Sequence, residues 1–535
     1  LGIALSNNEQ KNSSERSRLR IKINARIVSF FTFLSRIMGA VRDLVMLHVF
    51  GAGAIYDAFI IALTIPNVLR RLTAEGSLSM VFVPLYMDIK EKEGADAAKI
   101  FAQKVASLVI IVCTFLTAAG IGFSEQLVNL FASGFQEGSE KFSLTVSLTQ
   151  IMFPYLIFIS LVALAMGILN SEQRFAAPAA APILLNVFII VATLFFTSYF
   201  KYPIEAAAWG VLFAGFAQLC LQIPFLLNIK QPLIPRNFWK DENIKKLLAL
   251  MGPTLFGVAV YQINIIILRN IGSGLPDGHL TYYNIASRLQ ELIIGVFAFA
   301  YATASLPELS KYTNQNNWDA AFITLRNTIA SSMFIVLPAS AGFIAFGLPI
   351  VSMLFLHGEF TWHDVKITTQ ALQIITVSIP ALTLIRILVA IFFAMRDTRS
   401  PVIASTISVV VTAASGWYLA QIFQVSGLVL ALSLATWVQV FVLFIILRIK
   451  HRQAFICMPL LSIVKYSIFS IIIGVLVYLL VPYANWQNGA GSWFNWLYFI
   501  AVIILSVLLY IACLGVLKDE NALDLLNSFK SKIKH

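Results

Sequence analysis

The chain has 535 residues, 59% of them hydrophobic and only 12% charged, against about 25% charged residues in soluble domains. That composition excludes a soluble globular fold and predicts an all-α polytopic membrane protein. The formal net charge of +12 does not point to nucleic acid, because the basic residues gather in alternate loops between apolar stretches, as the positive-inside rule describes.

Residues 1–24 are polar and basic and have no apolar run of their own, so they read as a disordered cytoplasmic tail rather than a cleavable signal peptide. A helix needs about 20 apolar residues to cross the hydrocarbon core. By that ruler spans fall near 25–50, 54–87, 98–131, 141–169, 177–199, 204–229, 245–272, 279–305, 320–347, 363–395, 401–422, 426–449, 458–482 and 492–517. The long second stretch contains Pro66 and Gly76, which predicts one bent helix rather than two crossings. Basic residues crowd the tail, the loops near 90–99, 230–246, 396–399 and 448–452, and the C-terminal segment. The intervening loops carry little beyond Lys141 and Lys201. That parity predicts fourteen spans with both termini in the cytoplasm.

The four cysteines (Cys113, Cys220, Cys457, Cys513) are scattered through apolar segments, and the histidines show no metal-ligand spacing. No phosphate-binding GxxxxGK[ST] loop occurs. We therefore expect no metal, no cofactor and no enzyme chemistry.

Three matches recur at a nearly constant offset. VPLYMDIKEKEGADAAKIF (83–101) resembles LPELSKYTNQNNWDAAFIT (306–324) at 223 residues, LVNLFASGF (127–135) echoes VSMLFLHGEF (351–360), and RFAAP shares its proline with TRSP at 223. The expected organisation is a tail (1–24), an N-lobe of six spans (25–230), a C-lobe of six (248–450), and a final pair of spans with a C-terminal tail (451–535). An even shift leaves both lobes in the same orientation. Transporters built this way bind substrate between their lobes and expose it to each side in turn.

The functional clue is arginine inside membrane-length stretches, where each costs about 2.5–3.5 kcal/mol even on the lenient insertion scale. Arg36, Gly39 and Arg42 lie at i, i+3 and i+6 in the first span, so both arginines can border one cavity with the glycine between them. Asp43 offers Arg42 a buried ion-pair partner. The second span carries a polar stripe of Asp57, Pro66, Asn67, Arg70 and Glu75, in which Asp57 and Glu75 are candidate counter-ions. Arg71 points about 100° away from Arg70 and is expected to snorkel to the cytoplasmic surface. In the eighth span Arg288 is followed one turn later by Glu291. Arg269 falls near the outer end of the seventh span and reads as an interfacial anchor. A guanidinium makes bidentate bonds to phosphate and stays charged at any physiological pH. The expected ligand is therefore a phosphate-bearing anion. A drug or cation antiporter would instead need carboxylates facing the cavity.

At these residues a resemblance becomes specific. SRIMGAVRD (35–43), FGAGAIYDAF (50–59), PNVLRRLTAEGSLSMVFVP (66–84) and the YYNIASRL segment are similar to the MurJ (MviN) family. These are bacterial lipid II flippases of the multidrug/oligosaccharidyl-lipid/polysaccharide exporter superfamily. The resemblance implies fourteen helices in two lobes plus a final pair, an inner-membrane location, and transfer of undecaprenyl-pyrophosphate-linked disaccharide-pentapeptide to the outer leaflet for peptidoglycan synthesis. It implies lipid II and membrane lipids as partners, with other cell-wall synthesis proteins as further candidates. The family's cavity arginines match Arg36, Arg42, Arg70 and Arg288; its functional acidic positions match Asp43, Asp57 and Glu75; its glycine matches Gly39. It also implies an apolar groove for the prenyl tail at the last two spans. A flippase for another polyprenyl-pyrophosphate glycan is the nearest alternative. Ser287 departs from members that carry an aspartate beside the eighth-span arginine.

Overall fold

The computed structural model describes residues 2–296, 298–452 and 458–533, with side chains described except at 2–23, 25, 74–77, 256–257, 293, 295–296, 298–303 and 528–533. Among these residues all regular structure is helical. In chain order the helices are α1 (Gly2–Phe50), α2 (Ala54–Arg70), a π-helical stretch (Arg71–Leu78), α3 (Ser79–Glu93), α4 (Ala95–Gly122), α5 (Ser124–Phe131), α6 (Glu140–Met152), α7 (Tyr155–Ser171), α8 (Ala176–Phe195) and α9 (Glu205–Asn228). There follow α10 (Glu242–Ser273), α11 (His279–Val296), α12 (Ala298–Asn314), α13 (Trp318–Ala345), α14 (Gly347–Phe355), α15 (Trp362–Thr376), α16 (Ile379–Ala394), α17 (Arg399–Lys450), α18 (Leu460–Leu480), α19 (Trp493–Val516) and α20 (Glu520–Ile533).

Among the described residues eight helical stretches are long and apolar enough to cross a membrane, or ten when each bent pair counts as one span. The arginine-bearing α1, α2 and α11 are not among them. One qualifying stretch, α17, is a hairpin. Gln424 leaves helical geometry (φ 52°, ψ −131°), and Ser408 then donates to the Ala435 carbonyl at 3.0 Å. Fourteen crossings are compatible with this inventory. The tail expected to be disordered is helical and continuous with the first span. No proline lies between residues 2 and 50, and Gln, Glu, Lys and Arg are good helix formers.

Two compact units divide the chain: residues 1–50 with 58–262, and residues 51–57 with 263–535. The division falls inside α10. In the first unit the core joins α3, α4 and α7 through Phe82, Tyr86, Phe101, Val105, Leu164 and Ile168, all nearly inaccessible. α6 and α7 form a single span bent by 41°, with Pro154 at the bend. Polar tethers fasten the loop ends. Glu172 accepts from Lys90 and from the Tyr86 hydroxyl, and Asp241 pairs with Lys104.

In the second unit Phe322, Leu325, Ile329, Ile387, Ile391 and Leu443 pack α13 against α16 and α17. The final helices dock on the same core, where the Tyr510 hydroxyl donates to the Phe334 carbonyl at 3.0 Å. Between α13, α18 and α19 lies an apolar cavity of about 410 Å³, lined among others by Phe334, Pro338, Phe346, Ile473, Val477 and Val507.

The two units repeat one another element by element. A shift of 223 residues carries the limits of α4 onto those of α13. The same shift places α5 on α14, α6 on α15 and α7 on α16 to within one residue at either end.

Candidate functional site: intramembrane arginines

The first unit holds three of the four sequence-chosen arginines. Its α1 packs along α8, and the contact contains a polar knot. The Arg42 guanidinium donates through Nε and Nη2 to Asp43 Oδ1, at 3.0 and 2.6 Å, and through Nη1 to Asn186 Oδ1 at 3.2 Å. Asn186, on α8, is buried and returns bonds to the carbonyls of Ser35 (3.3 Å) and Pro182 (3.4 Å). A methyl group at Gly39 would sit 3.8 Å from the Asn186 amide, an ordinary contact. Asn186 is thus the neighbour of Gly39, at a distance that an alanine would also tolerate. Asp43 serves as the ion-pair partner, and Asn186 fixes the guanidinium from a second helix. Arg36, on the same helix, is exposed.

Arg70 ends α2 and is partly buried. Pro66 has no N–H to give the Ala62 carbonyl, which loosens the helix before the arginine. The π-helical stretch then follows at once, in place of a simple bend at Pro66 and Gly76. π-Turns widen a helix and cluster at functional sites. Pro66 is buried and Asn67 partly so; the side chain of Glu75 lies outside the described residues.

In the second unit Asp57 is 1% exposed, and hydrogen-bond donors of another element surround it. Its carboxylate accepts from the Gly278 N–H (2.7 Å), the Thr281 N–H (3.0 Å) and the Thr281 hydroxyl (2.7 Å). It therefore caps the first turn of α11, the helix that carries Arg288, where unpaired N–H groups and the positive end of the dipole favour a carboxylate. Gly278 makes the approach feasible. Its φ is +86°, and a Cβ there would stand 2.7 Å from the Ala52 carbonyl oxygen. One turn on, the Tyr282 hydroxyl donates to Asp364 Oδ1 at 2.5 Å, and Asp364 forms the capping box of α15 with Thr361.

Arg288 Nη1 stands 3.5 Å from Glu291 Oε2, with the two side chains 52% and 65% exposed. A loose, open pair of this kind contributes little stability, so the guanidinium remains accessible. Arg269 meets the neighbouring helix: Nη2 donates to Asn284 Oδ1 at 3.1 Å, and its guanidinium carbon lies 5.5 Å from the Tyr283 ring centre. Helix α10 delivers it against α11, and an arginine's length lets it reach a side chain on the neighbouring helix. Among the described residues no group of three or more His, Cys, Asp or Glu side chains is placed to hold a metal ion.

Sequence reasoning missed Asn186, Thr281 and Asn284. A signal existed for the first, because a lone amide in PILLNVFII needs a partner inside a membrane. Nothing local marks Thr281, whose partner is 224 residues away.

The helical fold matches a solved structure of an inward-facing multidrug resistance MATE family transporter of the MOP superfamily with TM-score 0.66, over 80% of this chain and 98% of that one, at 15% identity. A nearer likeness is to a solved lipid II flippase MurJ in its inward closed conformation: TM-score 0.77, 27% identity, 92% of this chain and 98% of that one. The family model described as Lipid II flippase MurJ matches residues 46–499. That stretch takes in Asp57, Arg70 and Arg288 and begins after Arg36, Arg42 and Asp43. A probable lipid II flippase MurJ of Buchnera aphidicola (from Schizaphis graminum) is 35% identical over 417 residues, covering 78% of this chain and 81% of its own length. The lipid II flippase MurJ of Burkholderia cenocepacia is 34% identical over 425 residues, covering 79% and 82%. The chain belongs to the lipid II flippase MurJ family. It is a multi-pass protein of the bacterial inner membrane.

Proposed function

We propose that this protein carries lipid II from the inner to the outer leaflet of the cytoplasmic membrane, with the pyrophosphate held by Arg36, Arg42, Arg70 and Arg288. The observation that carries the reading is accessible guanidinium, at Arg36 and Arg288, on helices of membrane length. Exposed to lipid, each would be costly; facing a watery cavity, each is a ready ligand for phosphate oxygens. Arg42 is a different kind of group, pre-set by Asp43 and Asn186 so that little ordering remains to be done on binding. The apolar cavity between α13, α18 and α19 suits a stretch of prenyl chain. In this reading the protein is a transporter with both termini cytoplasmic, not an enzyme, and it works by alternating access. The experiment is exposure of lipid II to an externally added lipid II-degrading enzyme, in cells depleted of their own flippase. The unaltered chain should restore cleavage. Arg42→Ala should reach the membrane at normal levels and fail to restore it, and Arg71→Ala should have a milder effect. Failure of the unaltered chain at normal membrane levels would overturn the reading.

A further inference from the structure

Arg269 is not explained by the four-arginine set. Its Nη1 is buried without a hydrogen-bond partner among the described residues. Its direct contacts are neutral: the Asn284 carboxamide and the Tyr283 ring. Arg288 and Asp57 lie within electrostatic range, but the Asp57 carboxylate already takes three donors at the head of α11. The two guanidinium groups, one buried and one accessible, repel each other. An anion between them removes that repulsion and supplies the missing acceptor.

The surface that Arg269 joins is ordered. Asn284, Ser287, Arg288 and Glu291 fall at i, i+3, i+4 and i+7, one face of α11. The Ser287 hydroxyl on that face is also buried without a partner among the described residues. An orphaned hydroxyl thus neighbours an accessible arginine on one face of α11, and Arg269, with its own orphaned nitrogen, reaches that face from α10 at Asn284. Buried polar groups are ordinarily satisfied, and an orphan calls for an explanation such as an ion or ligand.

We propose that Arg269, Asn284, Ser287 and Arg288 form a second oxyanion subsite in the 263–535 unit, taking an anionic group of the lipid-linked headgroup. The subsite rests on the flippase reading and adds to it a residue that holds substrate. Its chemistry fits either a phosphate oxygen or a carboxylate of the peptide stem. The presence of Ser287 where a carboxylate could stand keeps the subsite cationic.

The test uses the full chain in nanodiscs, with undecaprenyl pyrophosphate and lipid II as separate probes. Arg269→Gln should weaken binding of at least one probe by about tenfold or more, the range for losing one charge-assisted hydrogen bond. Weakening of both identifies a phosphate as the bound group. Weakening of lipid II alone identifies the peptide carboxylate. Thermal unfolding without ligand accompanies each titration. If Arg269→Gln is not recovered folded, Arg269→Lys carries the test: it keeps the charge, loses the fork, and should bind several-fold more weakly. Affinities within about twofold of the unaltered chain for both probes, in whichever variant is folded, overturn the subsite. Should the unaltered chain bind neither probe, the flippase reading itself falls.

Discussion

At the residue scale the membrane sets the terms. A guanidinium there must be paired, solvated or liganded, and the arginines of this chain show different solutions. Arg42 is paired within its own helix and held by an amide from α8. Arg288 stays accessible with a loose acidic neighbour. Asn186 is the residue on which the first arrangement turns, because it bridges Arg42 to the backbone of α1 at Ser35. Asn186→Ala should lower stability by about 1–2 kcal/mol, the cost of stranding buried donors. It should also reduce lipid II exposure while membrane levels hold, which thermal unfolding and the external-cleavage assay would read side by side. The pairing of Arg42 with Asp43 was legible in SRIMGAVRD. Asn186 could be read only as a lone amide in need of a partner, because that partner lies 144 positions away and only folding puts α8 beside α1.

At the element scale two features carry predictions. The α17 hairpin turns so tightly that a Cβ on Gly427 would stand 1.9 Å from the Leu419 carbonyl oxygen. Gly427→Ala should therefore cost several kcal/mol, since backbone rather than a flexible side chain must yield. Poor membrane yield and a lowered unfolding temperature would register it. At one end of the same element, Asp397 takes bonds from Lys450 and Ser400. Burial pushes its carboxyl up, but those bonds prevail and hold it down to about 2. A carboxyl lower in the folded than in the unfolded state stabilises the fold above its unfolded value of about 3.9. That contribution is lost as pH falls from about 4 toward 2. Lys450→Met should be the less stable protein at pH 6 and should lose that disadvantage near pH 2, in unfolding curves taken across the range. The helix count of this hairpin was legible from its two apolar runs. The π-helical stretch after Arg70 was not, because Pro66 and Gly76 announce a break without saying how the backbone resolves it.

At the scale of the whole molecule the repeat is the organising fact. Two runs of helices with matching limits at a shift of 223 residues suit a machine that works by moving one bundle against another. Movement of a pyrophosphate outward from a negative interior is aided by about 2.3 kcal/mol per charge per 100 mV. Collapse of the membrane potential with a potassium ionophore should therefore slow lipid II exposure in cells that depend on this chain. An unchanged rate would remove the potential as the driving force.

The sequence by itself determined the solvent, the helical class and the repeat. Each of these follows from local composition or from spacing along one helix, and a bilayer tolerates little else. It also misjudged what lay beyond local reach. The tail was expected to be disordered although nothing in it breaks a helix, and the side chain that Arg269 meets went unnamed. Only the tertiary structure decided that Asp57 caps α11. Only it brought Arg269 to Asn284 and set Asn186 against Arg42. Each of those outcomes is a hydrogen bond between elements distant in sequence, and the donors and acceptors meet only once the helices have packed.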